Sequence, residues 1–118
     1  MTTTQTRDRT QELLAAQAGL LAKFFRALGD PTRIRILKIL LDEGPQSVGE
    51  LVEGTGGSQS RISTHLACLK WCGLVASVRD GKRVIYSIGD DRVADLLRGG
   101  ERVLADNAEQ VLACQTIS

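Results

Sequence analysis

Three cysteines and one histidine carry the most distinctive chemistry in this sequence, and two of the thiols lie four positions apart. Cys68 and Cys72 fall in the segment GSQSRISTHLACLKWCG, residues 57–73, which also contains His65, and Cys114 lies near the end of the sequence. In a helix, residues four apart lie on one side with Cβ atoms about 6 Å apart. Two thiolates so placed can bind one ion, and soft thiolates favour soft metal ions.

Adding Cys114 to this pair gives a set of three sulfur ligands. Three thiolates without a fourth ligand suit Hg(II), Pb(II) or As(III), and Cd(II) would recruit one more ligand. Structural Zn(II) normally takes four ligands and fits this set less well. The sequence therefore predicts a soft metal ion at Cys68, Cys72 and Cys114, with no organic cofactor. The spacing leaves open whether Cys114 comes from the same subunit or from a partner.

The segment that holds the thiol pair reads as a helix with three distinct sides. One side is apolar and suits a core, with Ile62, Leu66, Leu69 and Gly73. The opposite side is small and rich in hydroxyl groups, with Ser60, Ser63, Thr64 and Ala67. The two cysteines lie on the flank between them. This pattern is typical of a helix that packs by one side and enters a DNA groove by the other.

The elements before this segment complete a helix-turn-helix. Residues 11–28 predict a long helix, either a core helix or a dimerisation helix, and residues 1–10 are expected to form a disordered polar tail. Asp30 and Pro31 predict the start of a buried helix over 31–42. A capping box predicts a short helix over about 47–53, and residues 54–57 form a glycine-rich turn, with Ser58 capping the next helix.

The elements after this segment predict a basic wing and a final helix. Strand-like runs at 74–78 and 83–88 flank Asp80-Gly81, which is a strong hairpin signal. A helix over about 92–112 follows, capped by Asp90 or Asp91, in which Gly99-Gly100 predicts a kink or close helix packing. The fold class is therefore mainly α with a two-stranded β wing. One domain spans residues 11–113, and residues 114–118 form a tail that carries the third thiol.

Positive charge is concentrated in the segment of the chain that would contact nucleic acid in this fold. The whole chain of 118 residues has a net charge of +1, yet residues 59–83 hold five Lys/Arg and a single Asp. This local excess favours binding to double-stranded DNA. The residues expected at base edges and phosphates are Gln59, Ser60, Arg61, Ser63 and Thr64, and those expected at the flanking backbone are Arg79, Lys82 and Arg83. With no apolar membrane span or secretory signal, we expect a cytoplasmic protein in a reducing compartment.

The order of these motifs resembles the ArsR/SmtB family of bacterial metal-sensing repressors. The resemblance covers residues 20–112 and includes Leu-Gly-Asp-Pro-Thr-Arg, Ser63-x-His65-Leu66-x-x-Leu69-x-x-x-Gly73-Leu74-Val75 and Tyr86-Ser87. Within the family, the three cysteines resemble those of the CmtR-type cadmium/lead sensors. The resemblance implies a winged helix-turn-helix homodimer joined through its first and last helices. It also implies that Cys114 acts from the partner subunit, and that metal releases the repressor from its operator.

Two departures from the family pattern limit which residues can form the metal site that the resemblance implies. Residues 46–51 lack the Cys-x-Cys pair of many arsenic and cadmium sensors, and the last helix lacks the His ligands of zinc, nickel and cobalt sensors. Only the three cysteines remain. His65 matches the family motif and is expected to pack or hydrogen-bond, while interface packing and DNA-backbone contact are both open for Trp71.

Two other functions fit parts of the same sequence. The thiols of a repressor with this fold could sense oxidants or reactive sulfur instead of metal. A thiol enzyme could use His65 as base and Cys68 as nucleophile, one helical turn apart. The sequence shows no orienting acid, oxyanion donors or substrate pocket for such an enzyme, and we therefore expect none.

Overall fold

The computed structural model describes residues 2–117, except for the side chains of residues 2–8, 10 and 13–15. Within that range the chain is mainly helical, with a small antiparallel sheet. The helices are α1 (Thr2–Leu28), α2 (Pro31–Glu43), α3 (Val48–Thr55), α4 (Gln59–Trp71) and α5 (Val93–Ala113), and the strands are β1 (Gln46–Ser47), β2 (Val75–Asp80) and β3 (Arg83–Ile88). This arrangement is a winged helix-turn-helix, as predicted.

Three of the predicted helix starts are confirmed by side-chain caps. The Asp30 carboxylate accepts hydrogen bonds from the Thr32 and Arg33 amides at 2.9 and 3.1 Å, with Pro31 at the first helical position of α2. Ser47 and Glu50 form both bonds of the capping box at α3. The Ser58 hydroxyl accepts from the Arg61 amide at 3.3 Å and caps α4. Each cap satisfies amide groups that a helix start leaves without partners.

The apolar side of α4 lies at the centre of the core. Ile62, Leu66 and Leu69 are completely buried there. They pack in one cluster whose other buried members come from α2, α3, the α4–β2 connection, β2 and the start of α5, namely Ile36, Leu37, Leu40, Leu51, Leu74, Val75 and Val93. Since aliphatic side chains supply this whole cluster, the stability of the fold depends on close packing of α4 against its neighbours.

The wing is a β-hairpin that gains a short third strand. In β2 and β3, Asp80 pairs with Arg83 around a two-residue turn, where Gly81 has a φ of 63°. Such a turn favours glycine because positive φ is costly for other residues. The sheet order is β1-β3-β2, and Gln46 of β1 pairs with Tyr86. Sequence patterns did not predict β1, because two residues are too few to show a strand period.

The first helix differs from its prediction at its start. Helix α1 begins at Thr2, so residues 2–10 are helical where a disordered tail was expected. This segment contains neither glycine nor proline, and nothing in its sequence therefore ends a helix that extends backwards from residue 11.

The last helix differs from its prediction at two places. Arg92 is at the N-cap without a side-chain cap, whereas Asp90 binds the Arg92 amide and guanidinium and Asp91 does not cap the helix. The backbone leaves helical geometry at Asn107 and not at Gly99-Gly100. The side-chain amide of Asn107 donates to the Val103 carbonyl at 2.8 Å, a local bond that competes with regular helix bonding.

Two glycines of this fold give a matched stability test. A Cβ added at Gly89 would lie 2.9 Å from the backbone oxygen of Gly73, whereas one added at Gly99 meets no atom within 4 Å. We expect Gly89→Ala to lower the free energy of unfolding by about 1–3 kcal/mol through this clash. Gly99→Ala should leave it unchanged or raise it by up to about 1 kcal/mol. Urea unfolding at equal protein concentration measures both free energies. A wild-type value for Gly89→Ala would contradict the close approach of Gly89 to the Gly73 backbone.

Candidate metal centre and nucleic-acid interface

The side of α4 opposite its buried stripe is open to solvent. All five residues predicted at base edges and phosphates are exposed, namely Gln59, Ser60, Arg61, Ser63 and Thr64. Thr64 donates its hydroxyl to the Ser60 carbonyl of the same helix at 2.9 Å, which keeps this side narrow. A helix with small side chains on its free side fits the major groove, which is about 12 Å wide.

The three predicted wing cations are exposed but are not equivalent. The Arg83 guanidinium lies 2.9 Å from Glu50 and forms an ion pair with it. Arg79 donates to the Gly81 carbonyl at the hairpin turn, at 3.4 Å. Within the part of the chain that the structure describes, Lys82 forms no ion pair, and its charge is therefore the most available to a phosphate.

Glu50 connects the helix-turn-helix to the wing, a link that sequence reasoning missed. Its carboxylate accepts the Ser47 amide at 3.0 Å while it pairs with Arg83. The Ser47 amide and hydroxyl, and then Arg83, hold the pKa of Glu50 below its usual value. A second link joins α4 to β2, where the Lys70 ammonium donates to the Ser77 hydroxyl at 2.7 Å. These two contacts join the wing to the helix-turn-helix.

Cys68 and Cys72 lie together at the end of α4. Cys72 is the C-cap residue, and its amide donates to the Cys68 carbonyl at 3.2 Å. Cys68 is half-buried and Cys72 is exposed. Partial desolvation raises the pKa of the Cys72 thiol, and the adjacent Cys68 thiol raises it further, while Arg33 and Lys23 partly offset both. The two residues therefore lie one helical turn apart, on the same side of α4.

Cys114 has a different environment, just beyond α5. Its sulfur lies 3.1 Å from the Thr116 hydroxyl. That hydroxyl, together with the amides of Thr116 and Ile117, lowers the pKa of the Cys114 thiol. Such hydrogen bonds stabilise a thiolate, which is the form that binds metal.

One copy of the chain does not bring all three thiols together. Within residues 2–117, no cluster of three metal-binding side chains is present. Helix α5 starts beside Cys72, where Val93 and Leu96 line a shared groove, and then runs for 21 residues with a bend at Asn107. A helix of that length spans about 30 Å and separates the two ends of the predicted site. Within one chain, Cys68 and Cys72 are therefore adjacent and Cys114 lies apart from them.

Arg33 joins the corner between α1 and α2 to the middle of α4. Its guanidinium donates to the carbonyls of Arg26 and Ala27 at the end of α1, and it lies 3.3 Å from Nδ1 of His65. The other ring nitrogen of His65 lies 3.9 Å from the Asp30 carboxylate. The ring of His65 therefore has a structural role, in which its two nitrogens face Arg33 and Asp30. Trp71, by contrast, is 91% exposed at the end of α4.

The fold and the exposed side of α4 define a winged helix-turn-helix DNA-binding protein. The family model for the bacterial regulatory proteins of the arsR family matches residues 30–77. A probable mercury resistance operon repressor from Streptomyces lividans is 45% identical over 92% of this chain and 86% of its own length. The chain belongs to the arsR family, and it is a transcriptional regulator rather than an enzyme.

Two further relatives cover most of the same fold. The regulator CmtR from Mycobacterium tuberculosis is 42% identical over 81% of this chain and 75% of its own length. An NMR structure of CmtR, described as a cadmium metal-sensor, superposes with a TM-score of 0.55 over 66% of this chain and 80% of that one, with 44% identity. The homodimeric winged helix-turn-helix domain of Mb0332 from Mycobacterium bovis superposes with a TM-score of 0.67, 32% identity, and coverage of 81% and 87%.

Every helix within residues 2–117 is too short or too polar to cross a lipid bilayer.

Proposed function

We propose that this chain is a homodimeric repressor that binds operator DNA without metal and releases it when a soft metal ion binds. The ion is of the Cd, Pb, Hg or As class, and its ligands are Cys68 and Cys72 of one protomer and the partner's Cys114. The observation that carries this proposal is the placement of two thiols one turn apart at the end of the helix that presents the DNA-binding side.

The chemistry of the ligands supports a soft metal ion. Cys68 and Cys72 can bind one ion together, because they lie one helical turn apart at the end of the same helix. When bound, the ion would supply a cation that displaces the thiol protons and joins sulfur atoms from separate segments. The names of two relatives, a mercury operon repressor and a cadmium sensor, agree with this class of ion.

The apolar surface of the chain supports a dimer. Several large hydrophobic side chains of α1 and α5 are exposed in one copy, including Leu20, Leu21 and Phe25 in α1 and Val103, Leu104 and Val111 in α5. Apolar surface on this scale is typical of an interface between subunits. In the proposed dimer the tail of one protomer reaches α4 of the other, and the homodimeric relative Mb0332 agrees with a dimer of this fold.

The position of the thiols explains how metal would weaken DNA binding. The thiol pair and the DNA-binding side belong to α4, and the third thiol belongs to a tail that one chain holds apart from them. Binding of the ion therefore favours dimer conformations in which tail and α4 are joined. Operator affinity falls to the extent that these conformations fit two half-sites poorly, and DNA must weaken metal binding by the same factor.

A redox or reactive-sulfur sensor of the same fold is the alternative function. The raised pKa of Cys72 lowers its thiolate fraction at neutral pH, which acts against oxidation and metal binding alike and so does not separate the two functions. The two functions differ in what restores DNA binding after induction. A chelator restores it for a metal sensor, and a reductant restores it for a thiol-oxidation sensor.

Replacement of the thiols by serine tests the proposed function. We expect Cys68→Ser, Cys72→Ser and Cys114→Ser to bind operator like the wild type without metal, because all three thiols lie outside the DNA-binding side. Each should lose most of the release caused by Cd(II), since two thiolates hold the ion less tightly than three. Fluorescence anisotropy of labelled operator measures both properties. Full metal release in Cys72→Ser would contradict the proposed site.

Lysine and arginine at the wing tip give a matched test of the DNA interface. We expect Lys82→Ala to weaken operator binding and to reduce the slope of log affinity against log salt by about 1, because one phosphate contact is lost. Arg83→Ala should change this slope less, since Glu50 already pairs with Arg83. Titrations from low to moderate salt measure the slopes. Equal slopes for wild type and Lys82→Ala would remove Lys82 from the interface.

A further inference from the structure

We propose that a groove beside Cys72 receives the C-terminal tail of a second copy of this chain, with Ile117 as the apolar anchor. This inference rests on the proposed function, because Cys114 brings the tail to the thiol pair. It adds an interaction surface to the metal ligands, so that the tail is held by apolar contact as well as by sulfur.

The groove lies where α1, the end of α4 and the start of α5 meet. It has a volume of about 610 Å³. Its apolar walls are formed by Phe24, Leu74, Val93 and Leu96, beside Cys72 and Gly73. Its charged members are Asp90, Arg92 and Asp95. A concave apolar surface with a few polar groups is typical of a binding site. A segment placed here lies directly beside one of the proposed metal ligands.

The tail carries an exposed apolar side chain, Ile117, close enough to Cys114 to reach the groove when Cys114 lies beside Cys72. Ile117 is 72% exposed and lies three residues after Cys114. An extended chain covers at most about 3.3–3.6 Å per residue, so Ile117 lies within about 11 Å of the Cys114 Cα. An ion that joins the partner's Cys114 to Cys72 therefore places the partner's Ile117 within reach of the groove.

The backbone of the tail favours Ile117 over the other exposed side chain near Cys114. Leu112 is 87% exposed, but it belongs to α5, whose helical geometry fixes its direction. At Cys114 the backbone becomes extended, with φ of −68° and ψ of 117°. The residues after Cys114 can therefore enter a groove that a rigid helix end cannot, and the Thr116 hydroxyl lies against the thiol on the same short segment.

Cadmium affinity of tail variants tests this anchor in the full-length dimer. We expect Ile117→Ser to weaken Cd(II) binding about tenfold or more, because burial of an isoleucine side chain is lost. Ile117→Leu should retain near wild-type affinity, and so should Gln115→Ala, the control at another exposed tail position. Competition with a chelator, followed by the ultraviolet absorbance of cadmium thiolates, measures the affinities.

A groove variant and two metal-free measurements complete the test. Leu96→Ala should weaken Cd(II) binding and should couple with Ile117→Ser in a double-mutant cycle, since residues in contact are not additive. Metal-free operator affinity and dimer mass should be unchanged in Ile117→Ser. Wild-type Cd(II) affinity in that variant, or loss of its dimer without metal, would overturn the anchor. Failure of the wild type itself to bind any of Cd(II), Pb(II), Hg(II) and As(III) would instead overturn the proposed function.

Discussion

The packing of one side of α4 against α2 and α3 is the constraint on which the other features depend. With Ile62, Leu66 and Leu69 completely buried, the rotation of α4 about its axis is fixed. That rotation exposes the serine and threonine side to DNA, and it leaves Cys68 and Cys72 on the flank. A polar substitution within the buried stripe would therefore disturb the DNA-binding side and the thiol pair together.

Polar contacts also connect α4 and α3 to the neighbouring elements. Arg33 ties the end of α1 to His65 in the middle of α4, and Glu50 ties α3 to the wing through Arg83. Because α1 is a proposed dimer helix, its contact through Arg33 would link the orientation of α4 to that of the partner in the proposed dimer. A small shift of α4 caused by metal would then change the spacing of two DNA-binding helices at once.

Local features of the structure were largely predictable from the sequence, whereas contacts between distant segments were not. The caps at Asp30, Ser47 and Ser58 follow from rules that act over three residues, and the hairpin follows from Asp80-Gly81. The Glu50–Arg83 pair joins residues that are far apart in sequence, and only packing brings them together. The bend at Asn107 was missed for another reason: a side-chain hydrogen bond, and not the glycine pair, breaks the helix there. The placement of Cys68 and Cys72 one turn apart in one helix was predictable from their spacing, while the approach of Cys114 to them is proposed to require a second copy.

A mixed dimer tests the central claim, that the metal site is shared between subunits, most directly. One protomer carries Cys72→Ser and the other carries Cys114→Ser, each with a different purification tag. If Cys114 acts across the interface, the Cys114→Ser protomer keeps Cys68 and Cys72 and receives the partner's Cys114, which gives one complete site. We predict one tightly bound Cd(II) per mixed dimer, and none with wild-type affinity in either parent dimer. A mixed dimer without a tight site would contradict a shared metal centre.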